Sequence, residues 1–223
     1  DVELADLPEN HRFAIPEGCH WSDIRAATEN NGQTILKAMR AIESANPKTL
    51  PGVFGDGDWG NKNLLPDSTL SDLVEHFSTK TLSIANLPED ELGNGYEFLI
   101  KKFADDSGHT AQEFYTTRTL VHLMTLMLAP LPGESVYDPS CGTGGMLISA
   151  AAQVKRQGKE WRSLRLYGQE LNFGTSAIAR MNLFLHGITD GYIAHGDTLG
   201  RPALLNAKGG LQTFDVVLAN PPF

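Results

Sequence analysis

Cysteine is scarce in this chain of 223 residues: Cys19 and Cys141 lie far apart and without CxxC spacing. That scarcity argues against a disulfide framework or a zinc centre, and no metal is expected. A run of about 18 apolar residues, the length a membrane helix needs, is also missing. The opening DVELADLPEN has neither a basic n-region nor an apolar h-region, so secretion is not expected and the cytoplasm is the expected compartment. A basic excess is lacking too. The 18 Lys and Arg stand against 27 Asp and Glu, for a formal net charge of -9. Such a field does not favour tight binding of a polyanion, so a nucleic-acid role would need a local patch or a basic partner. What is present is 41% apolar and 20% charged residues without a long biased tract, enough for one medium core or two small ones.

Residues 1–107 read as a small helical domain. In WSDIRAATENNGQTILKAMRAIESANP, Ile35, Leu36, Met39 and Ile42 recur at helical spacing, and Asn46-Pro47 supplies a stop. DSTLSDLVEHFSTK places Leu70, Leu73, Val74 and Phe77 on one face, and GYEFLIKKFADDSG repeats the pattern up to Gly108. The segment PGVFGDGDWGNKNLLPDS between them is loop. Asp56 and Asp58 alternate as at the start of a calcium loop, but Gly60-Asn61 stands where a ligand and then a glycine are needed, which favours a plain turn.

Residues 108–223 have a different texture. EFYTTRTLVHLMTLMLAP reads as a helix with Leu120, Leu123, Met124, Met127 and Leu128 on a broad apolar face. Short β-like runs then alternate with helices: ESVYDP, a helix near 144–157, SLRLYGQE, a helix near 172–186, YIAHGD, a loop, and FDVVLANPP. Strands alternating with helices of about 10–15 residues predict a doubly wound α/β domain with a mostly parallel sheet.

In such sheets ligands bind beyond the carboxyl ends of the strands. The first strand runs into DPSCGTGG, where Gly142, Gly144 and Gly145 allow positive φ and close backbone approach, and the next helix offers free N–H groups. Asp138 at the strand tip would repel a pyrophosphate. An amino-acid-like ligand, with an ammonium for Asp138 and a carboxylate for the helix, fits better, and for the loop taken alone this reading is only modestly favoured over an ordinary tight turn. Glu170, ending the second strand, is placed to accept two ribose hydroxyls, and Asp197, after the third, to accept from an adenine amine; each alone is equally a helix N-cap. Together the three acids suggest a nucleoside joined to an amino acid, the shape of S-adenosylmethionine.

The fourth strand ends in NPPF, residues 220–223. Pro221 and Pro222 lock φ and remove N–H donors, so carbonyls are presented in a fixed direction. Asn220 adds a side-chain acceptor and Phe223 a stacking face. Two acceptors and an aromatic plate suit an exocyclic NH2 on a planar base. Hydrogen bonds drawn to both N–H groups would favour a tetrahedral nitrogen whose lone pair points at an electrophile.

DPSCGTGG, the Glu170 strand end, HGDTL and NPPF resemble the successive motifs of S-adenosylmethionine-dependent adenine amino-methyltransferases that act on DNA. GHTAQEFYTTR is similar to the segment before the cofactor loop in modification (M) subunits of type I restriction-modification systems. The resemblance implies a Rossmann-like methyltransferase sheet of seven strands, of which four can be counted, so the chain is expected to be a fragment. It implies that Glu113, Phe114, Tyr115, Thr116, Thr117 and Arg118, together with Thr143, Gly144 and Gly145, border the methionine end of the cofactor. Glu170 would hold its ribose and Asp197 its adenine. Asn220, Pro221, Pro222 and Phe223 would grip a target adenine flipped from the duplex. Members often read aromatic-Thr-Pro-Arg where this chain has Tyr115-Thr116-Thr117-Arg118. The implied partners are DNA, a specificity (S) subunit, a restriction (R) subunit and a second M subunit. Two other readings fit the motif: a methyltransferase acting on a protein glutamine amide, and a non-catalytic cofactor-binding assembly subunit.

Overall fold

The computed structural model describes residues 13–82, 86–87, 89–106 and 116–221. Contacts divide the chain into two compact units, Asp1–Asn86 and Leu87–Phe223.

In the first unit, α1 (Trp21–Ala26), α2 (Asn31–Ala45) and α3 (Asp67–Ser78) pack around Ile35, Leu70 and Val74, with Ile24, Met39, Trp59 and Leu65 against them. The spacing of α2 is helical as expected, but Ala38 is buried on it while Leu36 and Ile42 are only half-buried. Asp67 ties two helices together, because its carboxylate accepts from the amides of Asn30 and Asn31, both at 3.0 Å, where α2 would otherwise leave donors unsatisfied. In the loop expected between them, Asp58 Oδ2 accepts from Asn61 Nδ2 at 3.1 Å, as in a turn closed by its own side chains.

The second unit contains α4 (Glu89–Asp106), α5 (Arg118–Leu128), β1 (Ser135–Asp138), α6 (Gly145–Arg156), β2 (Arg165–Glu170), α7 (Phe173–Leu185), β3 (Tyr192–His195) and β4 (Val216–Val217). The helix α4, grouped by sequence texture with residues 1–107, packs on α7 and belongs to this unit. Its close approach depends on Gly93, where a Cβ would come within 2.7 Å of the His186 ring.

All strand pairings are parallel, in the order β3-β2-β1-β4. The apolar alternation decides the buried face. Val136, Leu166, Ile193 and Val216 join Leu147, Val154, Ala179 and Leu183 of α6 and α7 in one core. The edge strand β4 is short, and its register is fixed by Asp215, whose Oδ2 accepts from the amide of Ser135 at 2.8 Å and from its hydroxyl at 2.7 Å. Leu218 N then donates to Tyr137 O at 2.9 Å, carrying the chain up beside the tip of β1.

One expectation fails on α5. Leu120, Leu123, Met127 and Leu128 are exposed, and the side buried against α6 carries Val121 and Thr125. A hydroxyl is tolerated there because Thr125 Oγ1 donates to Val121 O at 2.8 Å and bonds Ser149 Oγ at 3.1 Å. Among the described residues no helix is long and apolar enough to cross a membrane.

The αL residue Gly144 (φ +81°) starts α6, and a Cβ on it would lie 2.7 Å from Leu183 Cδ1. Gly144→Ala should therefore cost roughly 2–5 kcal/mol in urea unfolding, from backbone strain and overpacking together. A loss below about 1 kcal/mol would show that α7 can move aside.

Candidate active site

In the order β3-β2-β1-β4 the chain reverses direction across the sheet between β1 and β4. A crevice opens at such a reversal, beyond the carboxyl ends of the two strands. The glycine-rich loop after β1 and Asn220 after β4 meet there. They share a cavity of about 560 Å³ lined by Thr116, Arg118, Asp138, Ser140, Cys141, Gly142, Thr143, Gly145 and Asn220, among others.

The loop is tied down at each turn. Cys141 N donates to Gln169 O at 3.0 Å, which extends the β1–β2 pairing past the strand. Gly142 (φ +54°) turns its N–H onto Glu170 Oε2 at 3.0 Å, while Glu170 Oε1 accepts from Asn172 N at 2.8 Å. The carbonyl of Thr143 accepts from Asn182 Nδ2 of α7 at 3.0 Å. With Gly144 as N-cap, no side chain caps the start of α6 by a hydrogen bond, and Gly145 lines the cavity. A Cβ at Gly145 would meet nothing within 4 Å.

Asp138 is 2% exposed, and its Oδ1 accepts from Ser140 N at 3.0 Å. Burial, with the nearby Glu170 charge adding to it, pushes its carboxyl up to about 7 against the pull of that N–H. Burial also raises the Cys141 thiol, so this cysteine is a packed side chain rather than a thiolate. Ser140 Oγ is buried without a hydrogen-bond partner beside the cavity, as is Asn182 Oδ1.

Of the residues singled out in the sequence, Thr116, Arg118, Asp138, Gly142, Thr143, Gly145 and Asn220 line this cavity. Thr117, Gly144, Glu170 and Asp197 are outside its lining. Thr117 is the N-cap of α5, and Gly144 packs under the loop. Glu170 holds the loop, and the N-cap of α7 is Asn172, whose side chain accepts from Thr175 N at 3.0 Å. Asp197 is exposed in a turn, its Oδ1 accepting from Leu199 N at 3.0 Å. Pro221 is described and exposed; Glu113, Phe114, Tyr115, Pro222 and Phe223 lie outside the described residues.

Two residues that the sequence reading passed over organise the site. Gln169, fully buried, donates through Nε2 to the carbonyls of Gly196 and Arg201, each at 3.2 Å, and accepts from Ala203 N at 3.0 Å. It thereby shapes the loop that carries Asp197. Asn182, 1% exposed, does the same for Thr143. The available signal was a polar side chain on the buried side of an apolar helix, in RMNLFLHG. Thr198 adds a third tie, donating to Pro139 O at 2.6 Å.

A parallel sheet with a glycine-rich loop at its reversal point and acids at the strand tips defines a Rossmann-like α/β domain built to bind a nucleotide-type cofactor. The chain belongs to the N-6 DNA Methylase family, which matches residues 88–223. Residues 2–77 match the HsdM N-terminal domain. It is 29% identical over 215 residues to the type I restriction enzyme MjaIX methylase subunit of Methanocaldococcus jannaschii, covering 94% of this chain and 36% of that protein. It is 30% identical over 226 residues to the StySPI methylase subunit of Salmonella potsdam, covering 94% of this chain and 42% of that protein. A type I restriction-modification system methyltransferase subunit from Streptococcus thermophilus superposes with a TM-score of 0.78 at 26% identity, over 100% of this chain and 50% of its own. The chain thus spans half the length or less of these relatives.

The raised Asp138 carboxyl has a consequence for stability. Unfolded, it titrates near about 3.9, so between that pH and about 7 the folded state holds the extra proton. Its contribution is therefore most favourable below the unfolded value and is lost as pH rises through 7. Asp138→Asn should gain stability relative to the unsubstituted chain between pH 5 and 8 in denaturant titrations. A constant difference over that range would contradict the buried acid.

Proposed function

We propose that this chain is the cofactor-binding and catalytic portion of a type I modification subunit, which transfers a methyl group from S-adenosylmethionine to the N6 amine of adenine in DNA. The observation that carries the reading is the shared cavity. Asn220 at the end of β4 and the loop after β1 face one space at the sheet's reversal point.

Residues lining the cavity support binding of the methionine end of this cofactor, while Glu170 and Asp197, proposed for its nucleoside, stand outside the lining. Asp138 offers a carboxylate to an ammonium, and the open start of α6 offers N–H groups to a carboxylate. Glu170 uses one lone pair of each oxygen for amides, leaving acceptor capacity for ribose hydroxyls, and Asp197 remains exposed for an adenine amine. The bound cofactor supplies an electrophilic methyl group. Asn220 Oδ1 and the Pro221 carbonyl would accept the two N–H groups of the target amine and turn its lone pair outward. Phe223 would stack on the flipped base, and Pro222 would stiffen the grip. Thr116 and Arg118 line the same cavity and would border the methionine end with the segment before them.

A chain with net charge -9 is poorly suited to hold DNA through its own overall field. A specificity subunit would supply recognition and the basic surface, within a cytoplasmic complex that also holds a second modification subunit and a restriction subunit.

In the complete enzyme, Asn220→Ala should abolish labelling of DNA adenine by methyl-labelled cofactor while leaving the calorimetric cofactor Kd nearly unchanged. Equal loss of both would contradict its role, and labelling of a glutamine peptide but not DNA would replace the reading. Glu170→Ala should weaken cofactor binding first. Binding at pH 6 should release up to about one proton as Asp138 ionises against the ammonium, and at pH 8 far less. Equal proton release at both pH values would remove Asp138 from the ammonium site.

A further inference from the structure

Asn220 can accept from an amine only if its amide presents oxygen rather than nitrogen to the cavity. A carboxamide at a strand tip can adopt either orientation unless one end is held. The described residues supply one hold: Asn220 Nδ2 donates to Thr116 Oγ1 at 3.0 Å, across a sequence separation of 104 residues. Both residues line the cavity.

The helix that follows Thr116 is held in place. Thr117 is the N-cap of α5, and its carbonyl accepts from Val121 N at 3.1 Å. Arg118 pairs with Glu97 of α4 at 2.6 Å, and α5 is bound to α6 through Thr125 and Ser149. Thr116 therefore immediately precedes the N-cap of a braced helix.

We propose that Thr116 is a positioning residue for the methyl-accepting amine: its hydroxyl takes Asn220 Nδ2 and leaves Oδ1 as the acceptor facing the substrate. Rotating the amide would make the Thr116 hydroxyl the donor, to Oδ1, and would turn an Asn220 N–H toward the substrate amine, donor against donor. This assignment rests on the proposed adenine methylation and gives Thr116, proposed there to border the cofactor, a second role on the amine side.

The test compares Thr116→Val and Thr116→Ser in the complete enzyme with its specificity partner, on unmodified genomic DNA. Valine keeps the shape and removes the acceptor, so kcat should fall roughly tenfold or more, the equivalent of one hydrogen bond, with KM for DNA and cofactor Kd within about twofold. Serine restores the hydroxyl and should return kcat to within about threefold. An active unsubstituted enzyme whose Thr116→Val form keeps its kcat overturns this inference alone. A valine variant that loses cofactor affinity by the same factor as kcat also overturns it, since Thr116 would then be a cofactor contact. An unsubstituted enzyme that labels no adenine ends the functional reading and this inference together.

Discussion

The site depends on the carboxylate of Glu170, which bridges two neighbouring strand ends. One oxygen accepts from Gly142 N at 3.0 Å and the other from Asn172 N at 2.8 Å. The first bond bends the loop after β1 over the end of β2. The second sets where the chain leaves β2, and hence where Asn172 starts α7. Once α7 is placed, Asn182 reaches back to Thr143 at 3.0 Å, and Leu183 packs against Gly144. The loop is thus held from the strand side and from the helix side, with little freedom left to adapt.

Such a frame places two acids close to each other in a partly dry site. Glu170 is held by two amide dipoles. Asp138, deeper in the sheet, has one amide, from Ser140, and its carboxyl is pushed up to about 7. This is a local cost in stability that an incoming cation would relieve. A cation bound beside Asp138, as proposed, would be coupled to the ionisation of that one residue.

The short edge strand β4 has a different task. Only Val216 and Val217 pair as strand, yet Asp215 locks their register through Ser135. A slip of one residue would turn Val216 and Leu218 out of the core and carry Asn220 away from Thr116. Stability at one end of the strand therefore sets geometry at the other.

The amino-acid order by itself determined the alternation of strands and helices, the parallel sheet and the family motifs, because periodicity and glycine placement are local properties written in neighbouring residues. It also marked Asp138, Glu170 and Asn220 as candidate site residues, for the same reason. Tertiary structure alone decided that α4 packs on α7, and that α5 buries Val121 and Thr125 while leaving its leucines exposed. Which side of a helix is buried depends on what packs against it, and a threonine whose hydroxyl is satisfied can be buried as fully as a leucine. The roles of Gln169 and Asn182, and the bond between Thr116 and Asn220, join residues far apart in the chain. Such pairs carry no local pattern; they exist only once the sheet order brings the strand tips together.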